Sequence, residues 1–126
     1  MEYILVMAAS SEDLAAALLD RARRQRAHER DRGVRIAARL RGAVGLLRAE
    51  GAIEAAWLVG SLAWGGFGRR SDVDVVVRGA DSARIGSLSG RLADAVDACV
   101  DLLCFEDLPE AFRQRVLGDG VRLDEP

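Results

Sequence analysis

Residues 72 to 77, with the sequence DVDVVV, place two carboxylates at the start of a segment that is otherwise valine. Valine favours strands, so the segment predicts a strand over residues 73–78. Side chains alternate along a strand, so Asp72 and Asp74 point to the same side, about 7 Å apart at Cα, whereas Val73 and Val75 point into a core. Two like charges this close repel each other, and a cation between them reverses that effect. The segment therefore predicts a strand with one apolar face and one cation-binding face.

Helical patterns precede this strand. Ser10 and Asp13 predict a capping box that opens a helix, and the helical pattern extends from Leu14 to about residue 32. Gly33 predicts a break, followed by a second helix to about residue 50 that ends at Gly51. The division of the chain predicted from this pattern is a helical extension over residues 1–33 and a main domain over residues 34–126.

Short strands and helices alternate in the rest of the chain. The sequence predicts strands at 57–59, 73–78 and 99–105, a helix from Asp81 or Ser82 to about residue 98, a short helix starting at 107–109, and an edge strand at 121–123. This order predicts a small α/β or α+β fold, a mixed sheet with helices packed on it.

Composition limits the function classes. The chain has 126 residues, half of them hydrophobic and 30% charged, with a net charge of −2, which is typical of one globular domain and gives no sign of direct nucleic-acid binding. No apolar run reaches the length of a membrane span, and MEYILVM is too short for a signal peptide. Cys99 and Cys104 are expected to be free, buried thiols of a reducing compartment, so we expect a cytoplasmic protein.

A third carboxylate completes a candidate metal site. Asp101 is the single acid of the third predicted strand, where it is flanked by Val100 and by two leucines. Carboxylate oxygens on a rigid backbone suit Mg²⁺, and two such ions can clamp the attacking and leaving oxygens of a phosphoryl transfer. Asp72, Asp74 and Asp101 are therefore the candidate metal ligands and catalytic residues.

A glycine-rich loop lies between the first two predicted strands. Gly60 lets the backbone approach a ligand closely, and Ser61 offers a hydroxyl and backbone N–H groups to an anion. Arg69 and Arg70 are interpreted either as neutralising phosphate or as solvated surface residues. Other phosphate and metal motifs fail: a Walker A loop needs a Lys that this chain lacks, and neither a G-x-G-x-x-G pattern nor an EF-hand loop is present.

The spacing of these residues resembles a known signature. Gly60-Ser61, followed after ten residues by Asp72-x-Asp74, with Ser71 directly before the first Asp, closely matches the GS…SDxD signature of the nucleotidyltransferase superfamily that includes DNA polymerase beta. Residues 100–102, VDL, match the third acid of the minimal nucleotidyltransferases of that superfamily. The end of the chain, residues 106–123, is also similar to that group, and the resemblance covers roughly residues 34–123.

The resemblance implies an activity and a partner. It implies that Asp72 and Asp74 bind two Mg²⁺ ions and that Asp101 completes one site and helps to deprotonate an acceptor hydroxyl. It also implies that Gly60 and Ser61 hold the triphosphate of ATP; Ser71 and Arg69 are further candidate residues for nucleotide binding. Minimal members are often antitoxins that transfer AMP onto a tyrosine of a HEPN-type ribonuclease toxin, so a hetero-oligomer with such a toxin is expected.

Two alternatives remain open at this stage. Trp64 stands where the family commonly has a basic residue, which motivates a catalytically idle antitoxin that neutralises its toxin by binding alone. A small-molecule adenylyltransferase of the aminoglycoside type is the other. Residues 20–41 carry nine Arg, which are interpreted as a solvated helix face or as a surface for an acidic partner or RNA.

Overall fold

The structure is a computed structural model that describes residues 10–60 and 73–125. Its main elements in chain order are helix α1 (Ser11–Ala49), strands β1 (Ala55–Val59) and β2 (Val73–Arg78), helix α2 (Ile85–Val96), strand β3 (Val100–Cys104), helix α3 (Glu110–Asp119) and strand β4 (Val121–Arg122). Short 3-10 turns, Ser82–Arg84 and Phe105–Asp107, precede α2 and follow β3.

The four strands form one mixed sheet in the order β3-β2-β1-β4. β1 pairs antiparallel with β2 and with β4, whereas β2 pairs in parallel with β3. The parallel connection runs through α2, as a crossover between parallel strands requires. The predicted α+β class with a mixed sheet is confirmed, and so is the predicted edge strand near residue 121.

Helix α1 is continuous across Gly33, so the predicted break at that residue is wrong. A glycine inside a helix costs only about 1 kcal/mol relative to alanine, and no proline enforces an interruption here. The helix starts where the sequence predicted, because the Ser10 side chain accepts a hydrogen bond from the backbone N–H of Asp13 at 3.1 Å. The division at residues 33 and 34 stays a prediction, although one helix spans both sides of it.

One face of the sheet packs against α1 and α2. The buried residues of α1 recur at helical spacing in its second half, at Ile36, Leu40, Val44 and Leu47. They meet the odd-numbered valines of β2 and the even-numbered Ala56 and Leu58 of β1, together with Leu88, Leu92 and Val96 of α2. The main core therefore lies between the two helices and the sheet.

A second, smaller cluster covers part of the opposite face. It contains Ala55, Trp57, Val59, Val76 and Val116 of α3. The Trp57 ring stacks on Phe105 with ring centroids 5.3 Å apart. The guanidinium groups of Arg78 and Arg122 lie 5.6 and 5.0 Å from the centre of the same ring, within the range of cation–π attraction.

Two predictions about local features have different outcomes. The predicted helix start at Asp81 is confirmed, since its carboxylate accepts a hydrogen bond from Ala83 N–H at 3.0 Å. The cysteines are free as expected, but the prediction that both are buried is wrong: Cys99 is exposed and Cys104 is half-buried. Cys99 directly precedes β3 and Cys104 ends it, and β3 lies at the edge of the sheet, where only one side has a neighbouring strand. Within the described ranges, none of the helices combines the length and apolarity that crossing a membrane requires.

The carboxylate of Asp124 fastens the C-terminal segment to the sheet. Its side chain is fully buried and accepts hydrogen bonds from Ala56 N–H at 3.0 Å and from Arg122 at 2.7 and 3.1 Å. Arg48 of α1 lies 3.8 Å from the same carboxylate. Burial alone would raise the pKa of Asp124, but the hydrogen bonds from Arg122 and Ala56 outweigh it and lower the pKa.

We expect Asp124→Asn to lower the free energy of unfolding by about 2 kcal/mol, since it removes the buried negative charge that accepts the hydrogen bonds from Arg122. Because the folded-state pKa of Asp124 is lowered, its contribution is fully present above the unfolded value of 3.8 and is lost as the pH falls through the folded pKa. Urea unfolding of both proteins between pH 7 and pH 3 measures this. The exposed Asp94→Asn is the control. A difference between wild type and Asp124→Asn that stays constant as the solution is acidified would contradict the assignment.

Candidate active site

Two of the predicted acids lie side by side in the sheet. In the parallel pairing of β2 with β3, Asp74 is the direct partner of Asp101. Neighbouring strands are about 4.8 Å apart, so the two Cα atoms lie close together and both side chains leave the sheet on the same face. The prediction that a third-strand acid comes close to the β2 acids is thus met for Asp74.

The face that carries these acids is opposite to the main core. The flanking residues Val73 and Val75 are buried against the helices, and Asp74 is half-buried on the other face. Asp101 is exposed because β3 is the edge strand, and Leu103, two residues further along the same face, is 40% exposed. Within the part of the chain that the structure describes, the two acids therefore lie at the edge of the sheet, with Asp101 exposed.

Gly60 directly follows β1 and lies against Asp74. Its backbone has φ +74°, in the left-handed region, and a Cβ at this position would lie 2.5 Å from the Oδ2 atom of Asp74. Val59, the residue before it, pairs with Asp74 across the antiparallel β1–β2 ladder. The sequence predicted Gly60 as a close approach to a ligand, and the structure gives it a second role: only glycine leaves room for the Asp74 carboxylate here.

The other predicted site residues lie outside the described residues: Ser61, Arg69, Ser71 and Asp72. Trp64 and the glycine-rich loop also lie there, so their roles stay predictions. Within residues 10–60 and 73–125, no group of three His, Cys, Asp or Glu side chains is arranged to hold a metal ion. The described part of the candidate metal site is thus the pair Asp74 and Asp101.

The ligand type of Asp74 and Asp101 suits a magnesium ion. Both donors are carboxylate oxygens on adjacent strands of one sheet, and Mg²⁺ binds few carboxylates while it keeps water and phosphate oxygens as its remaining ligands. The exposure of Asp101 leaves room for such further ligands. Two carboxylates do not suit a soft metal. The nearby thiol of Cys104 cannot join them, because Cys104 is three residues from Asp101 and points to the other face of β3.

A residue that the sequence interpretation missed holds the start of β3. The Ser89 hydroxyl of α2 donates a hydrogen bond of 2.7 Å to the carbonyl of Val100, directly before Asp101. Val73 N–H donates to the carbonyl of Cys99 at 3.0 Å and closes the same end of the β2–β3 pair. A serine on a helix gives no sequence signal for this contact, because the contact forms only when α2 packs against the sheet.

Cys104 does not offer alternative chemistry. Burial, with smaller contributions from Asp107 and Glu106, raises the pKa of its thiol. A thiol with a raised pKa is protonated at neutral pH and is a poor nucleophile. The chemistry of this edge therefore belongs to the carboxylates.

Comparison with protein families identifies a known domain in this chain. The family model described as "Polymerase beta, Nucleotidyltransferase" matches residues 44–125, which is more than half of the chain. The matched range contains Gly60, Asp74 and Asp101. No curated protein sequence matches the chain at a significant level.

Several solved structures are similar to this chain. A toxin–antitoxin complex with AMP-PNP is 26% identical over 68% of this chain and 73% of its own, with a TM-score of 0.57. A protein assigned as a minimal nucleotidyltransferase is 25% identical over 67% of this chain and 88% of its own, with a TM-score of 0.58. A tri-AMPylated HEPN toxin from Shewanella oneidensis in complex with an MNT antitoxin gives 26% identity over 71% of each chain and a TM-score of 0.50.

Two glycines allow a matched test of the contact at Asp74. Gly60 and Gly51 have φ values of +74° and +77°, but a Cβ at Gly51 meets nothing within 4 Å. Alanine at either position costs about 1–2 kcal/mol of backbone strain, whereas only Gly60→Ala displaces the Asp74 carboxylate. We expect Gly60→Ala to weaken Mg²⁺ binding in the presence of ATP by roughly 10–100-fold and Gly51→Ala to leave it unchanged, as measured by calorimetry.

Unfolding experiments on both variants serve as the control, since similar losses of stability show that the strain is matched. Equal metal binding by the two variants would contradict a role for the Gly60–Asp74 contact in the site.

Proposed function

This chain belongs to the polymerase beta nucleotidyltransferase family, and we propose that it transfers AMP from ATP to a tyrosine hydroxyl of a cognate HEPN-type ribonuclease toxin and so acts as an antitoxin. Nucleotidyltransferase activity follows from the family and from structural relatives that include the complex with the AMPylated toxin. The choice of ATP, Mg²⁺ and the toxin tyrosine is the finer part of the proposal. The adjacent Asp74 and Asp101 on an exposed sheet edge are the observation that supports it most directly.

The proposed reaction is an in-line displacement at the α-phosphorus of ATP. The acceptor oxygen attacks this phosphorus, a new O–P bond forms, and the bond to the bridging oxygen of the leaving group breaks, which releases pyrophosphate. The proton of the hydroxyl passes to the Asp101 carboxylate. Such transfers depend on positioning and charge stabilisation rather than on a covalent enzyme intermediate.

The residues would divide the work. Asp72 and Asp74 would hold Mg²⁺ together with Asp101, and the bound ions would neutralise the charge that develops on the phosphate oxygens. Gly60 leaves space for the Asp74 carboxylate, and Ser61, Ser71 and Arg69 are proposed to contact the triphosphate. Asp101 faces solvent at the open edge, where an acceptor hydroxyl can reach it.

The position of Asp101 favours a large acceptor. Strand β3 is the edge of the sheet, and among the described residues Asp101 is exposed to solvent. A side chain on the surface of another protein can reach such a site. The half-exposed Leu103 beside Asp101 offers apolar contact to that protein.

Relatives support a toxin as the partner. Solved structures similar to this chain are described as toxin–antitoxin complexes, one with AMP-PNP and one with a tri-AMPylated HEPN toxin. ATP as the nucleotide and a HEPN-type toxin as the acceptor are therefore the proposal with the most support.

The test is transfer of label from α-³²P-ATP to a purified HEPN-type partner. We expect transfer by the wild type with Mg²⁺, and a loss of roughly 10²–10⁴-fold for Asp74→Asn and for Asp101→Asn, because each removes a charge that binds metal or accepts the proton. Asp94→Asn is the matched control: it is an exposed aspartate of α2, which packs on the other face of the sheet. Its rate should equal that of the wild type.

Two outcomes would contradict the proposal. Full neutralisation of the toxin by Asp74→Asn together with no label on the toxin from the wild type would indicate an antitoxin that acts by binding alone. Label transferred to an aminoglycoside but not to the protein would indicate a small-molecule adenylyltransferase. If Asp101→Asn labels the toxin as fast as the wild type, the proposed activity stands, but Asp101 does not have the role proposed for it.

A further inference from the structure

The first half of α1 extends away from the body of the protein. Residues 11–21 are all exposed, whereas the buried residues of this helix begin at Gly33. At 1.5 Å per residue, residues 11–32 form a rod about 33 Å long. We call this segment the arm. Most of the stability of a helix in a protein comes from packing of its apolar face, so the arm gains stability if another surface packs on it.

The tip of the arm carries an apolar stripe. Leu14, Ala15, Leu18, Leu19 and Ala22 fall on one side of the helix at spacings of three, four and seven residues. The three leucines are 47%, 57% and 55% exposed. By helical periodicity the stripe continues the side that carries Ile36 and Leu40 in the core, but at the tip no part of the described body lies beneath it.

The charges along the arm change sign from one end to the other. Residues 10–20 contain three acids and no base, whereas residues 21–32 contain six Arg and two acids. Glu12 lies at the N-terminal end of the stripe, and Arg23 and Arg26 lie at its C-terminal end on the same flank. Along the arm, an acidic end is thus followed by the apolar stripe and then by a basic segment.

We propose that the arm pairs with the arm of a second copy of this chain in an antiparallel arrangement. A two-fold axis between residues 18 and 19 lays the stripe of one copy on the stripe of the other, with Leu18 opposite Leu19. The same axis brings Glu12 of each copy beside Arg26 of its partner. The interface is self-complementary in both apolar surface and charge, as a two-fold dimer requires.

The charge pattern selects a second copy over other occupants. A nucleic acid or an anionic membrane would be attracted to the Arg-rich segment and repelled by the acidic tip, although the leucines lie nearest the tip. An antiparallel copy satisfies both ends at once. Pairing over residues 11–26 also stops about ten residues, or about 15 Å, short of Ile36, where the packed body begins, so the two bodies lie beyond opposite ends of the paired helices.

The first experiment measures the oligomeric state of the full chain by sedimentation velocity across a concentration series. The wild type should show a reversible monomer–dimer equilibrium. Leu18→Glu places like charges against each other at the two-fold axis and should raise the dimer dissociation constant at least about 100-fold. Ala17→Glu is the matched control on the opposite side of the same turn, and it should leave the constant unchanged.

The second experiment tests the charge register. Glu12→Arg and Arg26→Glu should each weaken the homodimer, because each brings like charges together. Mixing the two variants in equal amounts should restore dimers, since every facing pair is then of opposite sign. Circular dichroism of both variants verifies that helix α1 remains formed.

A wild type that stays monomeric at all concentrations would overturn the proposal, and so would a dimer that Leu18→Glu leaves intact. Failure of the mixed variants to pair would overturn the antiparallel register. Should Leu18→Glu abolish binding to a toxin while the wild type alone is monomeric, the stripe would serve that partner instead. None of these outcomes depends on nucleotide transfer, because Asp74 and Asp101 lie in the sheet and not in the arm.

Discussion

The parallel pairing of β2 with β3 fixes both the core and the candidate site. Its register aligns Val73 with Val100, Asp74 with Asp101, and Val75 with Leu102. Alternation along the strands then sends the apolar pairs to the helices and the acidic pair to the other face. A shift of β2 by one residue against β3 would turn Asp74 toward the helices and the buried valines toward the other face, so burial of the valines holds the two acids together.

Two carboxylates side by side repel each other, and the position of the site at the edge of the sheet limits this destabilisation. At the centre of the sheet both carboxylates would lose solvation as well as repel each other. Here β3 lies at the edge, and Asp101 remains in water while Asp74 is half-buried. Gly60 belongs to the same arrangement, because any side chain there would displace the Asp74 carboxylate.

Helix α1 serves the fold through its second half only. Its buried stripe covers the sheet, and two contacts fix its end: Arg48 reaches the Asp124 carboxylate, and Glu50 accepts two hydrogen bonds of 2.7 Å from Arg91 of α2. The first half shares the helix but not the core. A rigid connection of this kind lets a surface far from the site keep a defined orientation to it, which a flexible linker would not provide.

The sequence by itself determined the local features. Valine content and alternation located β2, the side chains of Ser10 and Asp81 marked helix starts, and a charged residue within an apolar strand identified Asp101, because each of these depends on near neighbours in the chain. The spacing of Gly60, Asp74 and Asp101 also indicated the family.

Only the tertiary structure decided that Asp74 and Asp101 are direct partners, that β3 is the edge and leaves Cys99 exposed, and that Gly60 makes room for a carboxylate. It also decided that α1 passes through Gly33, since packing of the following turns outweighs the small local preference for a break, and that Ser89 and Asp124 find partners far away in sequence. Such contacts join residues that are far apart in the sequence, and hydrophobic periodicity, which reports only on near neighbours, cannot predict them.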